Sequence, residues 1–209
     1  MTLTLTQAFA GGSSDQQSGS EILNGQVNLH QVDSSLRASV DSVGQDVGMQ
    51  SSATGNSLDV TTMNDTVVNS SQYVSSVDIS SDLGASVTNV GGSVSIQGQA
   101  VCNSAGVSTD PALTQVTSTQ ECDAVDPSSG VYAYAANIGG DLSVSNLAAG
   151  NTFEADTNAT NMPVSTNQIN RSSINAMTTA TVSNVAGSVS VNSQAVGNSA
   201  QIIHYSTSP

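Results

Sequence analysis

Val90-GGSVSIQGQAVCNSAGVST, ending at Thr109, recurs three more times along the chain. Its counterparts are Val43-GQDVGMQSSATGNSLDVTT, Ile138-GGDLSVSNLAAGNTFEADT and Val185-AGSVSVNSQAVGNSAQIIH. The four segments align without gaps near their centres. Their shared asparagine falls at Asn56, Asn103, Asn151 and Asn198, at spacings of 47, 48 and 47 residues. A fixed period of this length is the mark of a repeat architecture. In the last copy Val189, Val191 and Ala195 occupy alternating positions, so one face of a strand is apolar. Gly197-Asn198 tolerates positive φ and reads as a turn, with Ser199 to Ile202 beginning a return strand.

A second motif lies between these segments. Val27-NLHQVDSSLRASV, Val67-VNSSQYVSSVDIS and Val164-STNQINRSSINAM share a Val, then a Gln, then a Ser-Ser pair. Gln31, Gln72 and Gln168 mark it, with Gln120 as its degenerate member. The intervals are 41, 48 and 48 residues, the short one belonging to an atypical terminal repeat. Interleaving the two motifs predicts an all-β fold, a β-solenoid (β-helix) of about four 47-residue units, each made of two strand–turn–strand coils. The variable stretch Asp110–Gly130, with Pro111 and Pro127, reads as a loop outside the stack. Residues 25–209 form the repeat domain. Residues 1–24 are set apart as an N-terminal strand or the remainder of a secretory signal, since Ala8-Phe9-Ala10 has the form of a cleavage site but no basic region precedes it.

Stacking would bring Asn56, Asn103, Asn151 and Asn198 into line, and likewise Gln50, Gln97 or Gln99, and Gln194. Amides stacked at strand spacing hydrogen-bond along the axis. Structural turn and ladder positions are therefore the expectation for these residues and for Gln31, Gln72 and Gln168.

Composition narrows the function. The chain has 209 residues, 2 Lys+Arg against 16 Asp+Glu, a net charge of −14 and no Trp. Arg37 and Arg171 cannot displace a row of phosphate counterions, so nucleic acid is excluded as a partner, as is an electrostatic grip on anionic lipid. No apolar run is long enough to span a membrane as a helix. Lysine, which guards strand edges against pairing, is nearly absent, which favours edge-to-edge assembly. Cys102 and Cys122 lie twenty residues apart. They are read either as a disulfide, which requires an oxidising compartment, or as two buried thiols. No metal or other cofactor is expected. The cysteines have no CxxC or His partner, and Asp78/Asp82, Asp123/Asp126 and Glu154/Asp156 match no calcium loop. His30 and His204 belong to no catalytic constellation, and the chain is read as a non-enzyme.

The cadence Gln194-Ala-Val-Gly-Asn-Ser-Ala200, echoed by Gln99-Ala-Val-Cys-Asn-Ser-Ala105, resembles curlin repeats, although Gln and Asn stand one residue closer here. The two-part unit is more similar to the holdfast-anchoring surface proteins of stalked alphaproteobacteria. The resemblance covers residues ~25 to 205 as a repeat texture. It implies an exported bacterial surface protein engaged in attachment or matrix anchoring. Trimeric autotransporter heads share the Gly-Asn-Ser-Ala texture with a much shorter unit.

These observations together point to a secreted or cell-surface structural and adhesive protein, a matrix or holdfast anchor, with amyloid-like fibre assembly among its forms. Its expected partners are further copies of itself, other surface matrix proteins, or polysaccharide. The alternative reading is a polysaccharide-binding solenoid module. Its difficulty is the small set of aromatics available for stacking on sugar rings: Phe9, Tyr73, Tyr132, Tyr134, Phe153 and Tyr205.

Overall fold

A strand has a period of two, so alternating Val, Ile and Ala against Ser, Thr and Asn gives each segment one apolar face and one polar face. In the computed structural model the described residues form twelve strands and no helix. Residues 20–205 are described, apart from positions 77, 111, 125 and 160. Residues 1–19, including the expected Ala8-Phe9-Ala10 site, lie outside the described residues.

The first coil consists of β1 (Ser20–Asn28), β2 (Val32–Val43) and β3 (Val47–Thr62). The second is β4 (Thr66–Val74), β5 (Ile79–Val90) and β6 (Val94–Thr109). The third is β7 (Thr114–Cys122), β8 (Ser128–Ile138) and β9 (Leu142–Thr157). The fourth is β10 (Val164–Asn170), β11 (Asn175–Val185) and β12 (Val189–His204). They pair into three parallel sheets, β1-β4-β7-β10, β2-β5-β8-β11 and β3-β6-β9-β12. The fold is a β-solenoid of four units at the sequence period, and Val47 aligns with Val94, Leu142 and Val189.

The subdivision of the unit differs from expectation. Each unit is one coil of three strands, not two strand–turn–strand coils. The Gly-Asn pair does not turn the chain, because β12 continues through Gly197 and Asn198 to His204. What changes there is the phase of burial. In β6, Val94, Ile96 and Ala100 face inward before the pair, and Asn103, Ala105 and Val107 after it, with Ala100 to Asn103 buried without interruption. The long strand thus closes the coil against two partners. Its first half packs with β5 and β8 through Val94, Ile96, Leu83 and Val131. Its second half packs with β4 and β7 through Ala105, Val107, Val68 and Val116. A third cluster around Ala100, Cys102, Cys122 and Ile79 fills the centre.

One further expectation is corrected. Asp110–Gly130 is not a bulging loop, since it holds all of β7 and the start of β8. Residues 20–24 lie in β1, the first described strand.

Candidate functional site

Two rows of amides face each other where the β1-type and β3-type sheets meet. One contains Gln26, Gln72, Gln120 and Gln168, in register through three parallel pairings. The other contains Asn56, Asn103, Asn151 and Asn198. An unpaired buried amide is costly, and here each interior member is bonded twice over. Asn56 Nδ2 donates to Asn103 Oδ1 at 2.9 Å, Asn103 to Asn151 at 2.7 Å and Asn151 to Asn198 at 2.8 Å. Their second N–H reaches the facing strand, as in Asn103 Nδ2 to the Glu121 carbonyl at 3.0 Å. The glutamines reciprocate: Gln120 Nε2 donates to Gln72 Oε1 and to the Thr152 carbonyl, both at 2.9 Å.

The two ladders run in opposite directions. Each Asn donates toward the C-terminal coil. Each Gln donates toward the N-terminal coil, Gln72 to Gln26 at 2.9 Å and Gln168 to Gln120 at 2.8 Å.

Gln31 and Gln194 do not join a ladder. Gln31 is exposed beyond β1 and donates to Asp33. The first member of the Gln row is Gln26, and its 46-residue offset from Gln72 removes the irregular first interval. Gln194 aligns with Leu147, Gln99 and Ser52 on an outward column, so its neighbours supply no continuous amide row. Gln50 and Gln97 do align, but Ser145 and Asn192 follow them.

A third row, not among the expected ladder positions, lies at the penultimate position of the β2-type strands. Asn184 donates to Asn137 at 2.7 Å and Asn137 to Asn89 at 2.9 Å. These residues adopt φ of 53°, 58° and 55°, with Ser42 at 59° in the same column. Asn tolerates that left-handed conformation better than most residues. The signal was present in Asn89-Val-Gly, Asn137-Ile-Gly and Asn184-Val-Ala-Gly, which recur at the repeat period.

Cys102 and Cys122 are joined in a disulfide, fully buried, with Cα atoms 5.8 Å apart. It bridges β6 and β7, hence two successive coils. At the equivalent junction one coil earlier, Gly55 sits where an added Cβ would lie 2.7 Å from the Cys102 carbonyl oxygen and 2.9 Å from Val74 Cγ2. The same column holds closely packed Gly55 and Gly150 on either side of the cross-linked Cys102, with Gly197 in the last coil.

Both cations are paired with acids of a neighbouring coil, Arg37 with Asp82 at 2.5 Å and Arg171 with Glu121. Hydrogen bonds from the Thr88 hydroxyl and the Asn89 amide hold the Asp41 carboxyl below its ordinary range. Burial, and then the charge of Asp33, push Asp78 upward. Tyr132 and Tyr134 project from the outer face of β8, 42% and 46% exposed, beside Gly84 and the short side chains of Ser86 and Thr181. His204 Nε2 lies 2.6 Å from the Ala159 carbonyl, far along the chain from exposed His30. Among the described residues no group of three His, Cys, Asp or Glu is placed to hold a metal ion, and no helix is long and apolar enough to cross a membrane.

A family model described as holdfast attachment protein D matches residues 33–208. Neither the curated proteins nor the solved structures contain a match to the chain. The role that the family's description carries is attachment of the holdfast.

Proposed function

The chain belongs to the holdfast attachment protein D family, and on that premise we propose that it is a secreted structural link between the bacterial surface and adhesive matrix. The observation that carries this reading is the pair of opposed amide ladders. They engage every coil, adding one Asn–Asn and one Gln–Gln hydrogen bond at each of the three junctions to the backbone bonds of three parallel sheets, and all of the bonds at a junction must break for coils to separate along the axis. A load-transmitting element needs that property, and a reaction site does not. Self-association into a fibre belongs to the same reading, as strands perpendicular to a long axis are its natural building block.

The test is made on holdfast-bearing cells. Deleting the gene should release matrix into the medium, and restoring the protein should retain it, with surface-applied protease reaching the restored protein. Matrix held as firmly without the protein would overturn the reading.

A second reading, polysaccharide binding, draws on Tyr132 and Tyr134. Two exposed rings on one strand beside Gly84 form a flat platform of the kind that stacks on sugar rings. With a net charge of −14 the glycan would be neutral. Electrophoresis through gels containing neutral glycans should retard the native chain and not the Y132A/Y134A variant; equal mobility of the two in every gel would remove this reading.

A further inference from the structure

The two ends of the solenoid are chemically complementary to each other. Val189 and Val191 of β12 are each 49% exposed and Ile202 is 56% exposed, whereas Val94, Ile96 and Val107 of the same columns in β6 are at most 2% exposed. Repeat proteins ordinarily close such an end with a polar cap. Among the described residues the terminal strands keep their core residues, and no further strand pairs with their outer edges.

Extending the stack by one position sets the first coil of a second copy on the fourth coil of the first. Five aliphatic columns then continue, while in the column of Leu83 and Val131 Leu36 follows Thr178. Val47 follows Val189, Met49 follows Val191, Val60 follows Ile202, Val40 follows Val182 and Ile22 follows Val164.

Ladder polarity selects this arrangement over the others. Among the described residues the open groups at the N-terminal end are a Gln26 N–H and Asn56 Oδ1. At the C-terminal end they are Gln168 Oε1 and an Asn198 N–H. Each follows from the direction of the bonds inside the stack. Joining unlike ends gives two donor–acceptor pairs, Gln26 to Gln168 and Asn198 to Asn56. Joining two like ends across a two-fold axis reverses the strand direction and breaks the parallel register.

We propose that the protein polymerises head to tail, the first coil of one copy stacking on the fourth coil of the next so that sheets and amide ladders run unbroken through the junction. The contact is heterologous and leaves a free end at each addition, so it grows as a filament. Four coils at ~4.8 Å make the expected rise about 19 Å per copy. The proposal rests on the attachment reading for its purpose, but its test uses purified full-length protein and no cells.

Gln26→Glu keeps the acceptor that Gln72 uses and replaces the outward donor by a carboxylate. Asn198→Asp does the same toward Asn151 at the other end. In sedimentation and negative-stain microscopy the native chain should form filaments of one-solenoid width. Each variant alone should associate at least tenfold more weakly, with melting close to that of the native monomer. An equimolar mixture should recover one native-strength junction per pair and accumulate heterodimers. Gln31→Glu, off the ladder, should leave filaments intact.

A native chain that stays monomeric at every concentration overturns the proposal. So does either variant associating alone as strongly as the native chain, or a mixture no more associated than its components. Filaments in a purified sample with no effect on matrix retention would sink the attachment reading alone. Retention by cells with a monomeric purified protein would sink only this one.

Discussion

Asn103 shows what a single side chain does in this fold. It is fully buried, donates to Glu121 and Asn151, and accepts from Asn56. Asn103→Ala would leave three groups without partners in a dry interior. At 1–3 kcal/mol for each orphan, the expected loss is on the order of 3 kcal/mol or more by denaturant unfolding. Asn198→Ala at the exposed end should cost on the order of 1 kcal/mol or less, because water replaces its bonds. Equal losses at the two positions would mean that the ladder contributes nothing beyond local packing. Asp78 supplies the pH dependence at this scale. Its carboxyl is raised by burial and by Asp33, so the ionised form is disfavoured in the fold. That penalty is complete above the raised folded value and absent below the unfolded value near 3.9. Asp78→Asn should therefore raise the melting temperature at neutral pH, by an amount that shrinks as the solution is acidified through the carboxylate range. A gain that grew on acidification would contradict the assigned cause.

Among the elements, β7 and β8 were the hardest to read. Thr114–Cys122 carries Val116 as its sole aliphatic residue, and its remaining inward positions are Thr, Ser, Gln and Cys. A periodicity search weighted toward apolar residues passes over such a strand, although Gln120 and Ser118 are as buried as any valine. The β3-type strands were legible, but their Gly-Asn pair was misread, since one left-handed turn and a one-residue slip of burial phase look alike in sequence. The cross-link between β6 and β7 gives a test at this scale. Cys102→Gly with Cys122→Val transplants the Gly55/Val74 pair from the preceding junction. The double variant should fold to the same strand content and lose about 3 kcal/mol, the loop-closure contribution of a bridge spanning some twenty residues. Failure to fold would show that the junction between the second and third coils cannot accept the neighbouring solution.

For the whole molecule, charge opposes the contact that the ends invite. Sixteen acids against two bases make every copy repel every other at neutral pH. Association should therefore strengthen with added salt, and again as pH falls toward the isoelectric point near 4.1. Light scattering across a salt series checks this. Weaker association at high salt would mean that ion pairs, and not apolar columns and amides, hold the ends together.

The period of 47 to 48 residues, the all-β character and the axial stacking of Asn56, Asn103, Asn151 and Asn198 were present in the sequence by itself, because each coil must repeat its neighbour's inward chemistry to share one core. Three things were decided by the tertiary structure. The number of strands per coil depends on polar columns whose burial only the closed coil reveals. The true first member of the glutamine row is Gln26 and not Gln31, because register is set by strand pairing and not by motif spacing. The opposed polarity of the two ladders arises because each amide directs its second N–H to a carbonyl of the facing strand, a partner that exists only once the coil has closed.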